Sequence, residues 1–176
     1  MKKIVLVLLS FSFYFGVHAQ KQLDAFEAMD QVKSVVVNQK MFELMAKVKM
    51  DDSDKEAAHY LSLLQKLDQL KLYATVDKST ALQMKTAVGE YVSATNLAAM
   101  SKITDSGNQI SLFVKPGTSA TELTEMLLFV EGAANEETVV FSLTGLIDLN
   151  EVAFLSERLK LPGKAAIQKA VQLQKK

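Results

Sequence analysis

The chain contains no cysteine, no tryptophan, two prolines and a single arginine, Arg158. Without thiols it can form no disulfide, thiolate nucleophile, iron–sulfur ligation or thiolate zinc site. A cysteine-linked lipid anchor is excluded as well. One guanidinium equips it poorly for bidentate recognition of phosphate. A surplus of charge is also missing, because 20 basic residues face 20 acidic ones in 176. Binding to nucleic acid or anionic lipid without sequence specificity relies on excess Lys and Arg, so neither partner is expected. Beyond position 18 the sole histidine is His59, which any Ser–His–Asp triad or imidazole metal site would have to use.

The chain opens with "MKKIVLVLLSFSFYFGVHAQ": two lysines, an apolar run from Ile4 to Val17, and the small-x-small pattern Val17-His18-Ala19. This is the composition of a cleaved secretory signal. The run falls short of the roughly 20 residues that span a bilayer, so cleavage between Ala19 and Gln20 is expected, with no transmembrane anchor in the mature chain. Processing removes Lys2 and Lys3 and no acid, leaving 18 basic residues against 20 acidic. Residues 20–176 suit one domain with a real core. The expected product is soluble and lies in the periplasm of a Gram-negative cell or outside it, with stability drawn from packing alone.

In "QLDAFEAMDQV", Leu23, Phe26 and Met29 recur as one face of a short helix. Three valines near 34–37 favour a strand, Asn38 suits a cap, and Met41, Leu44, Met45 and Val48 follow at helical spacing. Ser53-x-x-Glu56 is a capping-box pattern, opening a helix faced by Ala57, Tyr60 or Leu61, Leu64 and Leu67. From Leu70 the rhythm becomes period two: Leu70, Leu72, Ala74 and Val76 alternate with Lys71, Tyr73 and Thr75, the pattern of a strand buried on one face. "STALQMKTAVGEYVSATN" is a helix faced by Met84, Val88 and Tyr91. Asp105-Ser106-Gly107-Asn108 then supplies a turn for a hairpin of strands near 99–104 and 109–115.

Pro116-Gly117 ends that hairpin. Ser119-x-x-Glu122 gives a second capping box, with Leu123, Met126, Leu127 and Val130 carrying a helix to Gly132. "VVFSLT" closes the most continuous strand, near 138–144, and Gly145 lets the chain leave the sheet. Asp148-x-x-Glu151 caps a C-terminal helix over 149–160, with Leu149, Val152, Ala153 and Leu159 inward, followed by an amphipathic tail over 164–176.

Strand, helix, strand, strand, helix, strand is the order of a ferredoxin-like split βαβ sandwich. The expectation is therefore an α+β domain: an N-terminal helical segment at 20–69, a βαββαβ core at 70–145, then the C-terminal helix and tail. In that topology the strands at 70–76 and 109–115 are central. The strand at 138–144 is an edge too apolar to be left bare, and the valines at 34–37 form an extra edge strand beside it.

Each chemical candidate has a plainer explanation. His59 shares a helix face with Lys55, Ser62 and Lys66 and reads as a solvated side chain, since a catalytic imidazole needs an orienting carboxylate and a nucleophile within hydrogen-bond reach. The acidic "DDSDKE" fails the EF-hand pattern, which needs glycine sixth and glutamate twelfth; starting at Asp51 supplies Glu56 and Ser62, and starting at Asp52 supplies Ala57 and Leu63. It fits a helix start favoured by the macrodipole. Met41 and Met45 are soft ligands one turn apart, but with Leu44 and Val48 they read as gap-filling core. "KPGTS", Lys115 to Ser119, lacks P-loop spacing and reads as turn and cap. Asp148 and Glu151 could act as an acid–base pair if burial raised one pKa, and read first as caps. No catalytic, cofactor-binding or metal-ligating residue is assigned, no cofactor is expected, and the binding residues are left open.

Taken in order, "SVVVNQKMFELMAKV", "LQKLDQLKLYAT", "ISLFVKPG", "EMLLFVEG" and "VVFSLTGLIDLNEVAFL" resemble the exported Gram-negative family known as domain of unknown function 4252. The resemblance covers nearly all of the processed chain. It implies a small secreted protein, or a lipoprotein in relatives that carry the lipid-accepting cysteine, and it points to envelope regulation near extracytoplasmic sigma factors. It brings no activity and no functional residue.

The expected role is a non-enzymatic envelope module binding a protein partner or a small apolar ligand. The alternatives are a hydrolase working through carboxylates such as Asp148 and Glu151, and a structural, self-associating protein.

Overall fold

Valine and leucine runs flanked by Asn, Asp and Gly dictate the strands, and capped amphipathic stretches the helices. The computed structural model describes residues 22–47, 55–119, 121–148 and 150–158. The expected signal, Asp51 to Asp54 with the Ser53 cap, and the tail at 164–176 lie outside them. The elements are β1 (Lys33–Asn38), α1 (Gln39–Ala46), α2 (Lys55–Leu64), β2 (Leu67–Thr75), α3 (Lys78–Thr95), β3 (Ala98–Asp105), β4 (Asn108–Pro116), β5 (Glu122–Glu131), β6 (Thr138–Asp148) and α4 (Val152–Arg158). All six strands form one antiparallel sheet, ordered β1-β2-β6-β5-β4-β3.

Local chemistry explains several boundaries. Asn38 Oδ1 accepts from the Met41 N–H at 3.0 Å and starts α1. Asp77 Oδ1 accepts from Thr80 N–H at 2.8 Å to start α3, and Asn96, at φ 56°, ends it in the left-handed conformation. Ser106 and Gly107 both have positive φ, 52° and 88°, which is the two-residue turn that matches strand twist in the β3–β4 hairpin.

The ferredoxin-like expectation is overturned. Residues 122–131 form the strand β5, paired with both β4 and β6, where the sequence suggested a helix. Consecutive residues from Glu125 to Val130 are all buried: Met126, Leu128 and Val130 on one face, Leu127 and Phe129 on the other. A strand covered on both faces loses the apolar–polar alternation that distinguishes it from a buried helix. Ser119-x-x-Glu122 is correspondingly no helix cap. Glu122 Oε1 accepts from Thr118 N–H at 2.9 Å and its carbonyl accepts from Gly117 N–H at 2.7 Å, closing the β4–β5 turn.

The sheet order changes with it. β6 sits between β2 and β5, not at an edge. The valine strand does exist, but β1 pairs with β2, setting Val36 against Lys71. Nor does the chain leave the sheet at Gly145. That residue has φ 132°, and a Cβ there would lie 2.4 Å from the Lys66 carbonyl oxygen, so only glycine lets β6 run on to Asp148 past the start of β2.

Helices and loops cover both faces. The first face holds Leu70, Leu128, Phe141 and Leu143 against Phe42 of α1, Leu64 of α2 and Val152 of α4. The second holds Tyr73, Leu127 and Val140 against Met84, Val88 and Tyr91 of α3 and Leu23 and Phe26 of the N-terminal turn. β2 is therefore buried on both faces, contrary to the one-sided pattern read from its alternation.

Candidate functional site

Strand periodicity places Lys71, Tyr73 and Thr75 of β2, Ser142 of β6 and Glu125 of β5 beneath α3, and all five are buried. Lys71 Nζ donates to Asp24 Oδ1 at 2.5 Å, tying the N-terminal turn to the sheet. The Tyr91 hydroxyl donates to Glu125 Oε1, tying α3 to β5. Burial, reinforced by the Glu125 carboxylate, pushes the Tyr91 phenol well above its ordinary pKa and keeps it a donor. Tyr73 is also pushed up, first by burial and then by the Asp24 and Glu27 charges, and its hydroxyl has no hydrogen-bond partner. Lysine, carboxylate and phenol are acid–base chemistry in kind, but α3 and the N-terminal turn close this layer from solvent. A shallow groove of about 400 Å³ opens above it, between Gln22 and the Leu82, Thr86 and Glu90 surface of α3. Sequence reading missed the layer, because polar residues alternating within a strand look like a solvated face. The signal that could have found it is that Tyr91 belongs to the apolar face of α3, which needs a second sheet face beneath it.

His59 does have a carboxylate partner, which the sequence did not reveal. Its Nε2 lies 2.9 Å from Glu151 Oε2, and its ring packs on Phe154 at a centroid distance of 5.3 Å. Arg158 lies over the same ring and pairs with Glu56. These contacts clasp α4 to α2. Asp148 is not an N-cap: its Oδ1 accepts from Asn150 N–H at 2.8 Å in a turn between β6 and α4, and α4 begins only at Val152. The two acids read as a pair thus serve separate partners. Among the described residues no group of three or more His, Cys, Asp or Glu is placed to hold a metal ion.

The methionines at 41 and 45 are not core. α1 turns Phe42 inward and leaves Met41, Leu44 and Met45 exposed at 45%, 59% and 39%, beside Val35 of β1 at 51%. The apolar stripe read in the sequence is real, but it faces outward. These four are a majority of the seven large hydrophobic residues exposed among the described ones, and they fall within eleven positions, so the exposed apolar residues concentrate on this strand–helix unit.

One family model matches the chain, over residues 26–155, and its description is Domain of unknown function (DUF4252). The chain belongs to this family. The DUF4252 span runs from Phe26 to Leu155, both buried, and includes all six strands, the polar layer beneath α3 and the His59–Glu151 clasp. No curated protein and no solved structure matches the chain. Among the described residues no helix is long and apolar enough to cross a membrane.

Proposed function

We infer that this DUF4252 protein is an exported, non-enzymatic binding module that engages a protein partner through β1 and the outward face of α1. The observation that carries this reading is the gathering of Val35, Met41, Leu44 and Met45 on one exposed strand–helix unit. An amphipathic helix normally buries its apolar stripe, and a contiguous patch left outside marks an interaction surface. The chain's polar groups support the same reading: buried Lys71 is bonded to Asp24 and buried Tyr91 to Glu125, and Asp148 and Glu151 hold a turn and a histidine. Export rests on the amino-terminal sequence.

A photo-cross-linking residue placed at Leu44, with Leu82 as the control position on α3, tests it in the cells that make the protein. The expected result is a protein adduct of defined mass from position 44 and none from 82, lost when Met45→Lys is added without change in the thermal midpoint. Equal adducts from both positions, or none, would sink the reading.

A further inference from the structure

The sheet has two edges, and they are built differently. β3 is bulged between Ala99 and Ser101 and carries Lys102 and Asp105, devices that discourage a further strand. β1 pairs with β2 without a shift over all six residues and carries Val35, Val36 and Val37. Its one charge, Lys33, is held by Glu137 at 2.6 Å. Among the described residues no strand pairs with its outer side.

We propose that a second copy of this chain docks at β1, strand antiparallel to strand, about a two-fold axis through Val36. The proposal rests on β1 and α1 being the binding surface and names its occupant. Directly opposed residues of an antiparallel pair share a sheet face, so a self-paired strand is centred on a residue. Centring on Val36 sets Val35 against Val37 and Ser34 against Asn38, apolar on apolar and polar on polar. Centring on Val35 would set Lys33 against Val37. An axis perpendicular to the sheet also keeps equivalent faces on the same side. α1 follows directly from Asn38 and packs its Phe42 on the face that carries Val37, so both copies of α1 flank the axis. Their Met41, Leu44 and Met45 stripes then cover each other. With Lys33 already neutralised, the strand pair brings no uncompensated like charges together. The six residues of β1 and eight of α1 fall below the roughly 20–30 per side of a standard interface, so the dimer forms and dissociates with concentration.

A cysteine-free chain gives a direct test of the register. Opposed Cα atoms in an antiparallel pair lie about 4.5–5.5 Å apart, within the roughly 4.4–6.8 Å that a disulfide bridges. On mild oxidation of the purified protein, Val36→Cys should convert to a linked dimer and Val35→Cys alone should not, while a mixture of Val35→Cys and Val37→Cys should link to each other. Light scattering of the unsubstituted protein should rise from one chain mass toward two with concentration, and Leu44→Lys should abolish the rise. Faster linkage of Val35→Cys than of Val36→Cys, or a mass that stays at one chain, would overturn the proposal. Capture of a different protein at position 44 with no copy overturns the dimer and leaves the binding surface standing; capture of nothing overturns both.

Discussion

The two faces of the sheet are both covered, by different chemistry. Beneath α1, α2 and α4 the buried side chains are aliphatic, methionine or phenylalanine. Beneath α3 lie Lys71, Thr75, Ser111, Glu125, Thr138 and Ser142, with Thr80 on α3 itself, and these are all the buried polar or charged residues among the described ones. The dry face stabilises by removing apolar area from water, at roughly 1.5–3 kcal/mol per large side chain. The wet face adds directed bonds, Tyr91 to Glu125 and Lys71 to Asp24, that place α3 and the N-terminal turn at one position each. A polar contact buried in this way contributes little net stability but is costly to leave half made. Bulk stability and positional specificity are thus divided between the faces.

The sharpest way to break that division is to empty the dry face. Phe141, fully buried at its centre, should cost about 4 kcal/mol when replaced by alanine, measured as a shift in denaturant midpoint at constant slope. A loss under about 1 kcal/mol would mean that the face collapses around the gap and is not closely packed. On the wet face Tyr91→Phe removes one hydroxyl and should cost about 2 kcal/mol, because the Glu125 carboxylate is left buried without its donor. Glu125→Gln combined with it should show coupling of opposite sign to the separate losses. Strict additivity would mean that the two groups do not act as a pair.

Titration separates the faces by another route. Tyr73 and Tyr91 are both held above their ordinary pKa, whereas in the unfolded chain they ionise near pH 10. The stabilisation is thus complete below about pH 10; above it the unfolded state binds fewer protons than the folded state, and stability falls with rising pH. The expected slope is about 1.4 kcal/mol per pH unit for each tyrosine. The measurement is the difference between the unsubstituted protein and Tyr91→Phe, followed by denaturation midpoint and tyrosinate absorbance. Equal slopes in the two proteins would count against an enclosed Tyr91.

Legibility in the sequence followed the same division. The β3–β4 hairpin, the Asn38 cap and the Met84–Val88–Tyr91 face of α3 were readable because one residue type has one use there. β5 was not, because burial on both faces erased its period. Lys71 and Tyr73 read as the second side of a half-buried strand, since a sequence does not show that a helix returns to cover it. The Met41–Leu44–Met45 stripe was visible as amphipathic, but periodicity cannot tell whether an apolar face is met by the same chain or left outside. His59 and Glu151 lie 92 positions apart, beyond the reach of any local pattern.

The smallest expected effect has the opposite sign. Tyr73 is wholly buried between the sheet and the N-terminal turn, its ring tilted against Phe26 at 6.1 Å, and its hydroxyl bonds to nothing. A hydroxyl withdrawn from water without a partner is a standing cost, so Tyr73→Phe keeps the ring packing and removes the penalty. Stability should rise by about 1 kcal/mol, read as a higher denaturant midpoint with an unchanged slope. The same substitution should lessen the alkaline loss, since one of the two suppressed phenols is gone. A destabilisation of similar size would show instead that the hydroxyl is satisfied in solution, by Asp24 or by a buried water. The wet face would then be a complete hydrogen-bonded layer, and the contrast with its aliphatic opposite would be sharper still.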